Sequence, residues 1–210
     1  MPTNVYIVYY IIIILYYSVL HYCVQGSFFM EVSIMEKIIL NEKATRSAIM
    51  RLSYEIVEKN PSAKTVCLIG IRRRGVSLAK MICENINNIG ECKALCGEVD
   101  ISLYRDDLSE KTQQPIVNET AVDFPVENQT VVLVDDVLYT GRTARAAIDA
   151  VMALGRPAKI QLCELIDRGH RELPIRADFV GKNVPTSAKE LISVKMPEYD
   201  NALCVMLESK

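Results

Sequence analysis

The chain has 210 residues, of which 50% are hydrophobic, so it can bury one good core, and a single α/β domain is the natural expectation. Its 24 basic and 26 acidic side chains give a net charge of −2, a balance that neither requires a nucleic-acid partner nor excludes one. Seven cysteines without a Cys-x-x-Cys pair and only two histidines argue against a zinc site, and they favour reduced thiols in a cytosolic protein.

The first 30 residues differ from the rest. They contain no Asp, Glu, Lys or Arg, and an apolar stretch from Val5 to Val24 is long enough to span a bilayer. However, the basic residues and the cleavage site that accompany anchors and secretory signals are missing. We therefore favour a start at Met30 or Met35 over a membrane anchor. This interpretation divides the chain into a hydrophobic extension (1–34) and one domain (35–210).

The domain opens with a short strand, Glu36 to Leu40, followed by a helix. Asn41 is a suitable N-cap, and Asn60-Pro61 ends the helix after about Lys59. The predicted buried stripe consists of Ala48, Ile49, Leu52 and Ile56. The opposite face carries Arg46, Arg51 and Glu55, so its charge is mixed rather than basic.

A second strand, Thr65 to Gly70, leads through a loop into a helix from about Val76 to Asn88. Three consecutive arginines, Arg72-Arg73-Arg74, occupy this loop. Guanidinium groups at a strand-to-helix junction favour an anion site, because they bind phosphate oxygens bidentately. The alternative is a solvated basic turn.

The next predicted strand runs from Leu95 to Leu103, and a polar segment from Tyr104 to Pro115 follows it. A connection of that length inside a compact domain is usually functional or disordered. Residues from Pro115 to Pro125 are suited to a hairpin arm, and residues 126–129 form a turn before the most informative part of the chain.

That part is the segment Val131-Val-Leu-Val-Asp-Asp-Val-Leu-Tyr-Thr-Gly-Arg-Thr143. An apolar run, two acids, a short hydroxyl-rich loop and a helix from Ala144 to Met152 indicate a strand, a loop and a helix in succession. Open α/β sheets bind ligands at such carboxyl ends, and the N–H groups of a helix N-terminus favour an anion there. Gly141 permits close approach of the backbone to a phosphate.

A phosphorylated sugar satisfies both parts of this segment. Residues Thr140 to Thr143 would hold its phosphate, while Asp135 and Asp136 would accept hydrogen bonds from its hydroxyls or hold water-bound Mg²⁺. The alternative is purely structural: the two acids end a core strand, and the loop caps the next helix.

After this helix, Gly155 and Pro157 mark its end, and Lys159 to Ile166 forms the next strand. Asp167, Arg168 and Gly169 then lie at its carboxyl end, on the ligand-binding edge. Two further segments, Glu190 to Val194 and Ala202 to Leu207, are predicted to complete the sheet.

The segment 131–143 resembles the phosphoribosyl-pyrophosphate motif of type I phosphoribosyltransferases. Together with Asp167-Arg-Gly-His-Arg-Glu-Leu-Pro-Ile-Arg-Ala-Asp178, it is similar to the bifunctional family of pyrimidine-operon attenuation regulators that are also uracil phosphoribosyltransferases. The resemblance covers roughly Met35 to Lys210. It implies one type I phosphoribosyltransferase domain, with a central, mainly parallel sheet flanked by helices and a flexible hood loop.

The resemblance also implies roles for individual residues. Arg73 and Arg74 would bind pyrophosphate, although the family usually has Lys-Thr-Arg at positions 72–74. The segment 104–115 would be the hood, with Arg105 reaching pyrophosphate, and Phe179 and Val180 would contact the base unless Phe179 is core. Catalysis would rest on Asp135, Asp136 and Arg105. The remaining substrate-binding candidates are Val137, Leu138, Tyr139, Thr140, Gly141, Arg142, Thr143 and Arg168.

The implied reaction joins uracil to phosphoribosyl pyrophosphate, with Mg²⁺ as cofactor, to give UMP and pyrophosphate in the cytoplasm of the cell. A homo-oligomer is the implied assembly. The alternative function is a UMP-responsive regulator that binds pyrimidine-operon leader RNA with little catalytic activity. RNA binding requires a basic face. Only scattered candidates are present, namely Arg46, Arg51, Lys182 and Lys189, and Met50 and Tyr54 stand where polar or basic contacts are expected.

Overall fold

A computed structural model describes residues 36–101 and 121–209. In chain order, its strands and helices are β1 (Glu36–Leu40), α1 (Glu42–Lys59), β2 (Thr65–Ile71), α2 (Arg74–Ile89), β3 (Lys93–Val99), β4 (Thr130–Leu138), α3 (Arg142–Leu154), β5 (Lys159–Asp167), β6 (Phe179–Asn183), β7 (Glu190–Lys195), α4 (Pro197–Asp200) and β8 (Cys204–Ser209).

Five strands form a central sheet in the order β3-β2-β4-β5-β6, and every pair of neighbours is parallel. Helices cover both faces of this sheet. Side chains of α1 and α2 pack with Val132 and Val134 in one core, whereas α3 packs with Val131 and Leu133 in the other. Burial on both faces explains why β4 begins as a continuous apolar run. The predicted α/β class with a central parallel sheet is confirmed.

The opening helix follows the sequence prediction. The side chain of Asn41 accepts a hydrogen bond from the backbone N–H of Ala44 at 3.0 Å, as an N-cap does, and the helix ends at Lys59. Ile49, Leu52 and Ile56 are at most 1% exposed, so the predicted apolar stripe is the buried one. The helix therefore forms where its cap and its periodicity place it.

Two predictions about strands are wrong. The last two strands do not complete the central sheet: β7 and β8 join β1 in a separate antiparallel sheet of order β1-β8-β7. Strand β3 runs from Lys93 to Val99 rather than from Leu95 to Leu103. Its in-register pairing with β2, from Thr65 opposite Lys93 to Ile71 opposite Val99, ends it where β2 ends. In both cases the pairing partner, which local pattern does not specify, decides the outcome.

Several predictions lie outside the described residues. They are the predictions for residues 1–34, for the hood loop with Arg105, and for the hairpin arm up to residue 120. Of the predicted arm, Ala121 forms an isolated antiparallel bridge with Glu98 on β3. No helix within residues 36–101 and 121–209 combines the length and apolar character needed to cross a membrane.

Candidate active site

Strand β4 carries the two adjacent acids, and it extends further than predicted. It continues to Leu138, so Asp135 and Asp136 lie inside the strand and the loop before α3 contains only Tyr139, Thr140 and Gly141. Successive side chains of a strand point to opposite faces. Asp135 accordingly lines a cavity with the start of α3, while the positive charge of Arg74, the first residue of α2, acts on Asp136.

The cavity beside Asp135 has a volume of about 370 Å³. Its walls are formed by the carboxyl end of β4, the following loop, the first turn of α3 and one residue of β5; the lining residues are Asp135, Val137, Leu138, Tyr139, Thr140, Gly141, Arg142, Thr143, Ala144 and Glu164. All seven predicted substrate-binding residues from Val137 to Thr143 are therefore brought together.

The first turn of α3 is suited to an anion. Its N-cap is Gly141, which adopts a φ of 92° and provides no side chain to bond the first N–H groups of the helix. The Thr140 hydroxyl accepts a hydrogen bond from the Arg142 N–H at 3.3 Å. A helix N-terminus with glycine as its N-cap presents N–H donors and the positive end of the helix dipole to the cavity.

The pKa values of the two aspartates are both raised. Burial, and then the neighbouring charge of Asp136, raises the pKa of Asp135 well above its usual range. Burial also raises the pKa of Asp136, whereas hydrogen bonding from Asp135 and the charge of Arg74 oppose that rise. A buried carboxyl next in the chain to a half-buried one favours a bound cation or a group that develops positive charge.

A second carboxyl of the cavity, that of Glu164, was missed in the sequence. Glu164 lies opposite Asp135 in the parallel pairing of β4 and β5, and it is 1% exposed. Its Oε2 has no hydrogen-bond partner, and burial followed by the charges of Asp135 and Asp136 raises its pKa. The available signal was an acid between two apolar residues, Cys163 and Leu165, inside a predicted strand.

The arginine loop, Arg72 to Arg74, ends at the first residue of α2, and its three side chains have different surroundings. Arg72 pairs with Glu98 and lies 3.6 Å from Asp100, while the side chain of Arg73 is exposed. Arg74 Nη2 lies 3.2 Å from Asp200 Oδ1, and its buried Nε has no partner. The charge of Arg74 lowers the pKa of Asp136, which links this arginine to the aspartate strand.

Arg168 has a structural environment. It is 5% exposed, and its guanidinium donates to Thr186 Oγ1 at 3.0 Å and to the Glu190 carbonyl at 2.7 Å. It also lies 4.2 Å from the centroid of the Tyr139 ring, a cation–π distance. Arg168 therefore supports a wall of the cavity through Tyr139, and its predicted contact with substrate stays a prediction.

A second arginine in this region, Arg171, was not predicted. It donates to the Tyr139 carbonyl at 2.8 Å and to the Ile175 carbonyl at 2.9 Å, and it forms an ion pair of 2.5 Å with Asp167. These bonds fasten the loop after β5 to the end of β4. The only signal in the sequence was its place in the Asp167 to Asp178 segment.

Phe179 and Val180, the candidates for base contact, begin β6. Phe179 is 2% exposed, belongs to the core under α1, and has Lys59 Nζ 5.1 Å from its ring centroid. Neither residue lines the cavity described above. This placement agrees with the core alternative for Phe179, and base contact by either residue stays a prediction.

Comparison with known proteins identifies the family. The Phosphoribosyl transferase domain model matches residues 36–198. The chain belongs to the phosphoribosyltransferase family. Curated relatives named Bifunctional protein PyrR include that of Caldicellulosiruptor bescii, 56% identical over 83% of this chain and 97% of the relative, and that of Acetivibrio thermocellus, 56% identical over 80% and 92%.

Solved phosphoribosyltransferases share the fold. A hypoxanthine phosphoribosyltransferase of Trypanosoma cruzi has a TM-score of 0.64 at 17% identity and covers 83% of this chain and 97% of its own. A hypoxanthine-guanine phosphoribosyltransferase of Bacillus anthracis has a TM-score of 0.60 at 15% identity, with coverages of 85% and 100%. The predicted resemblance to phosphoribosyltransferases is confirmed by the family match and the curated relatives.

Proposed function

We propose that this phosphoribosyltransferase transfers the phosphoribosyl group of phosphoribosyl pyrophosphate to uracil, giving UMP and pyrophosphate. One observation carries the proposal. The N-terminus of α3, with Gly141 as its N-cap, and the buried Asp135 line the same cavity, and the charge of Arg74 acts on the neighbouring Asp136. This arrangement provides, in order, an anion site, a site for hydroxyls or a cation, and a second anion site. Phosphoribosyl pyrophosphate carries its groups in that order.

In this proposal the 5′-phosphate binds residues 140–143, and the ribose hydroxyls bind the carboxyls of Asp135 and Asp136. Arg73 and Arg74 bind pyrophosphate, because Arg73 is exposed and Arg74 has a buried Nε without a partner. Arg105, which lies outside the described residues, would complete the pyrophosphate site.

The chemistry follows from the charges that develop. Cleavage of the bond to pyrophosphate leaves positive charge on the anomeric carbon and negative charge on the leaving group. Asp135 and Asp136 stabilise the first charge and the arginines stabilise the second, so a uracil nitrogen can attack without a covalent enzyme intermediate. Positioning of both substrates supplies the remaining rate acceleration.

Mg²⁺ fits this donor set. Within residues 36–101 and 121–209, no three His, Cys, Asp or Glu side chains form a group that could hold a metal ion. Mg²⁺ is often bound by one or two carboxylates together with substrate phosphates and water, so Asp135 and Asp136 would hold it with the bound substrate. When bound, it would neutralise charge on the departing pyrophosphate.

A regulatory role is proposed from the relatives, whose name, Bifunctional protein PyrR, indicates two activities. Uracil as the acceptor is proposed from the resemblance of segments 131–143 and 167–178 to the family. One surface favours RNA as the regulatory ligand. Arg51 on α1 bonds the carbonyl of Gly181 on β6, which brings the exposed Lys182 next to that helix. Arg46 and Arg51 line one face of that helix, where they pair with Glu42 and Glu55, and Lys182 adds an exposed cation beside it.

We also propose residues 35–210 as the catalytic domain, since the family match begins at residue 36. The cytoplasm is proposed as its compartment, because the six described cysteines are all free. Assembly as a homo-oligomer likewise remains a proposal.

The test is a comparison of bases. The purified full chain, with Mg²⁺ and phosphoribosyl pyrophosphate, is assayed for pyrophosphate release with uracil, hypoxanthine, guanine or orotate. We expect turnover with uracil alone. Turnover only with a purine would refute uracil as the acceptor. A folded protein that is inactive with every base would refute the proposed phosphoribosyltransferase activity.

RNA binding is tested separately, by filter binding of a pyrimidine-operon leader transcript with and without UMP. Lys182→Glu is expected to weaken binding, while Lys37→Glu, at an exposed residue on β1, serves as the charge-matched control. Equal binding by both variants would refute the proposed surface.

A further inference from the structure

Helix α2 and the edge strand β3 place two cysteines against each other. The Cys83 thiol on α2 lies 3.5 Å from the Ala94 carbonyl oxygen on β3, two residues before Cys96. The backbones around them are held together, because the Asn87 side chain accepts from the Ala94 N–H at 2.9 Å and donates to the Ala94 carbonyl at 3.2 Å. Ala94 and Cys96 lie on the same face of β3, so Cys96 also faces α2.

The two thiols differ in acidity and in access. Hydrogen bonding from Cys96, assisted by a contact of 3.5 Å from Asn87 Nδ2, lowers the pKa of Cys83 to about 7. The same bond raises the pKa of Cys96, which keeps its proton. Burial instead raises the pKa of Cys67 and Cys163. A thiolate is the nucleophilic form of cysteine.

We propose that Cys83 and Cys96 are a reversible disulfide site. The half-buried Cys83 thiolate attacks a hydroperoxide such as hydrogen peroxide, which forms a sulfenic acid and releases hydroxide. The sulfur of the exposed Cys96 then attacks the Cys83 sulfur, and the sulfenic hydroxyl leaves as water with the thiol proton. Two electrons pass to the peroxide, and a dithiol such as dithiothreitol returns them.

The position of this site links it to the arginine loop. A disulfide would join α2, which begins at Arg74, to β3. Glu98 lies on β3 two residues after Cys96, and it pairs with Arg72 of the loop. The helix that follows the loop and the strand whose Glu98 pairs with the loop would then be covalently connected. The oxidised chain should therefore melt at a higher temperature than the reduced chain, because the cross-link restricts the unfolded state.

Peptide mapping tests the proposal directly. The reduced full chain is treated with hydrogen peroxide, blocked with iodoacetamide and digested with trypsin and Glu-C without reductant. Cleavage at Glu84, Glu91 and Lys93 places Cys83, Cys92 and Cys96 on different peptides. We expect one cross-linked pair, 81–84 with 94–98, with a mass about 2 Da below the sum of the two reduced peptides, and its loss on reduction.

Variants separate this site from general oxidation. Cys92→Ser, the neighbouring control, should retain the cross-link, whereas Cys83→Ser and Cys96→Ser should lose it. In the reduced protein, Cys96→Ala should also raise the pH at which Cys83 reacts with iodoacetamide, while Cys96→Ser keeps a hydroxyl donor. A cross-link through Cys92, a cross-link between chains only, or an unchanged Cys83 alkylation profile in Cys96→Ala would overturn the proposal.

Discussion

Gly75 fixes how closely α2 approaches the aspartate strand. A methyl group added at Gly75 would lie well under 3.0 Å from the Val134 carbonyl oxygen and 3.2 Å from Asp135 Cα. The first contact is with backbone, which cannot rotate away. Gly75→Ala must therefore push the start of α2, with Arg74, away from β4. We expect both the stability of the domain and the binding of phosphoribosyl pyrophosphate to fall.

The magnitude follows from overpacking. Forcing an extra methyl group into a well-packed site costs about 1–3 kcal/mol. For a chain of this size, each kcal/mol lowers Tm by roughly 2–4 °C, which predicts a loss of about 2–12 °C. Displacement of Arg74 should raise KM for phosphoribosyl pyrophosphate by about 10-fold, which corresponds to the loss of one charge-assisted hydrogen bond.

Thermal melting and steady-state kinetics measure the two effects, and Gly90→Ala is the matched control. Gly90 follows the same helix, has a φ of 80°, and offers an added methyl group nothing within 4 Å. That variant should lose about 1 kcal/mol from backbone strain and keep its KM. If Gly75→Ala melted and bound like the wild type, or if Gly90→Ala raised KM equally, the reasoning would be refuted.

Three further predictions concern the carboxyls and the supporting arginine. Because the pKa of Glu164 is raised, the folded state holds more protons than the unfolded state once the pH exceeds the ordinary glutamate pKa. The stability of the wild type therefore falls as pH rises. In urea melts from pH 5 to 8, Glu164→Gln should gain up to about 1.4 kcal/mol of stability per pH unit relative to wild type. A constant difference would contradict this sign. Because burial raises the pKa of Asp135, KM for Mg²⁺-loaded phosphoribosyl pyrophosphate should increase as pH falls towards 5, and a flat profile would count against a proton at that carboxyl. Arg171→Met removes the bonds to the Tyr139 carbonyl and to Asp167, so it should raise the KM for phosphoribosyl pyrophosphate by about 10-fold. Arg145→Met, on the exposed face of α3, is the control and should change this KM little. Equal KM values for the two variants would refute a supporting role for Arg171.

The sequence predicts those parts of the fold that local chemistry decides. Asn41 caps α1 through its own side chain, and the apolar run of β4 requires burial on both faces wherever it pairs. Strand partners are different, because pairing is a property of distant segments. For this reason β1, β7 and β8 could be recognised as strands while their separate sheet could not.

The same distinction applies to the candidate site. Residues 137–143 lie together on one wall of the cavity because they are contiguous in the chain. Glu164 enters the cavity only through the register that sets it opposite Asp135, and the bonds of Arg171 depend on where the loop after β5 folds back. Arg168 shows the converse: its position at the end of β5 was predicted, but its guanidinium contacts carbonyl and hydroxyl groups of residues 186–190.

The central claim is that the aspartate pair of β4 serves a phosphoribosyl transfer, and one measurement tests it most directly. Pyrophosphate release from uracil and phosphoribosyl pyrophosphate is compared for wild type, for Asp135→Asn/Asp136→Asn, and for Asp149→Asn, an exposed control on α3. We predict that the double variant folds, as judged by circular dichroism, and loses at least about 100-fold in kcat/KM, while Asp149→Asn retains wild-type turnover. Wild-type turnover by the folded double variant would contradict the account.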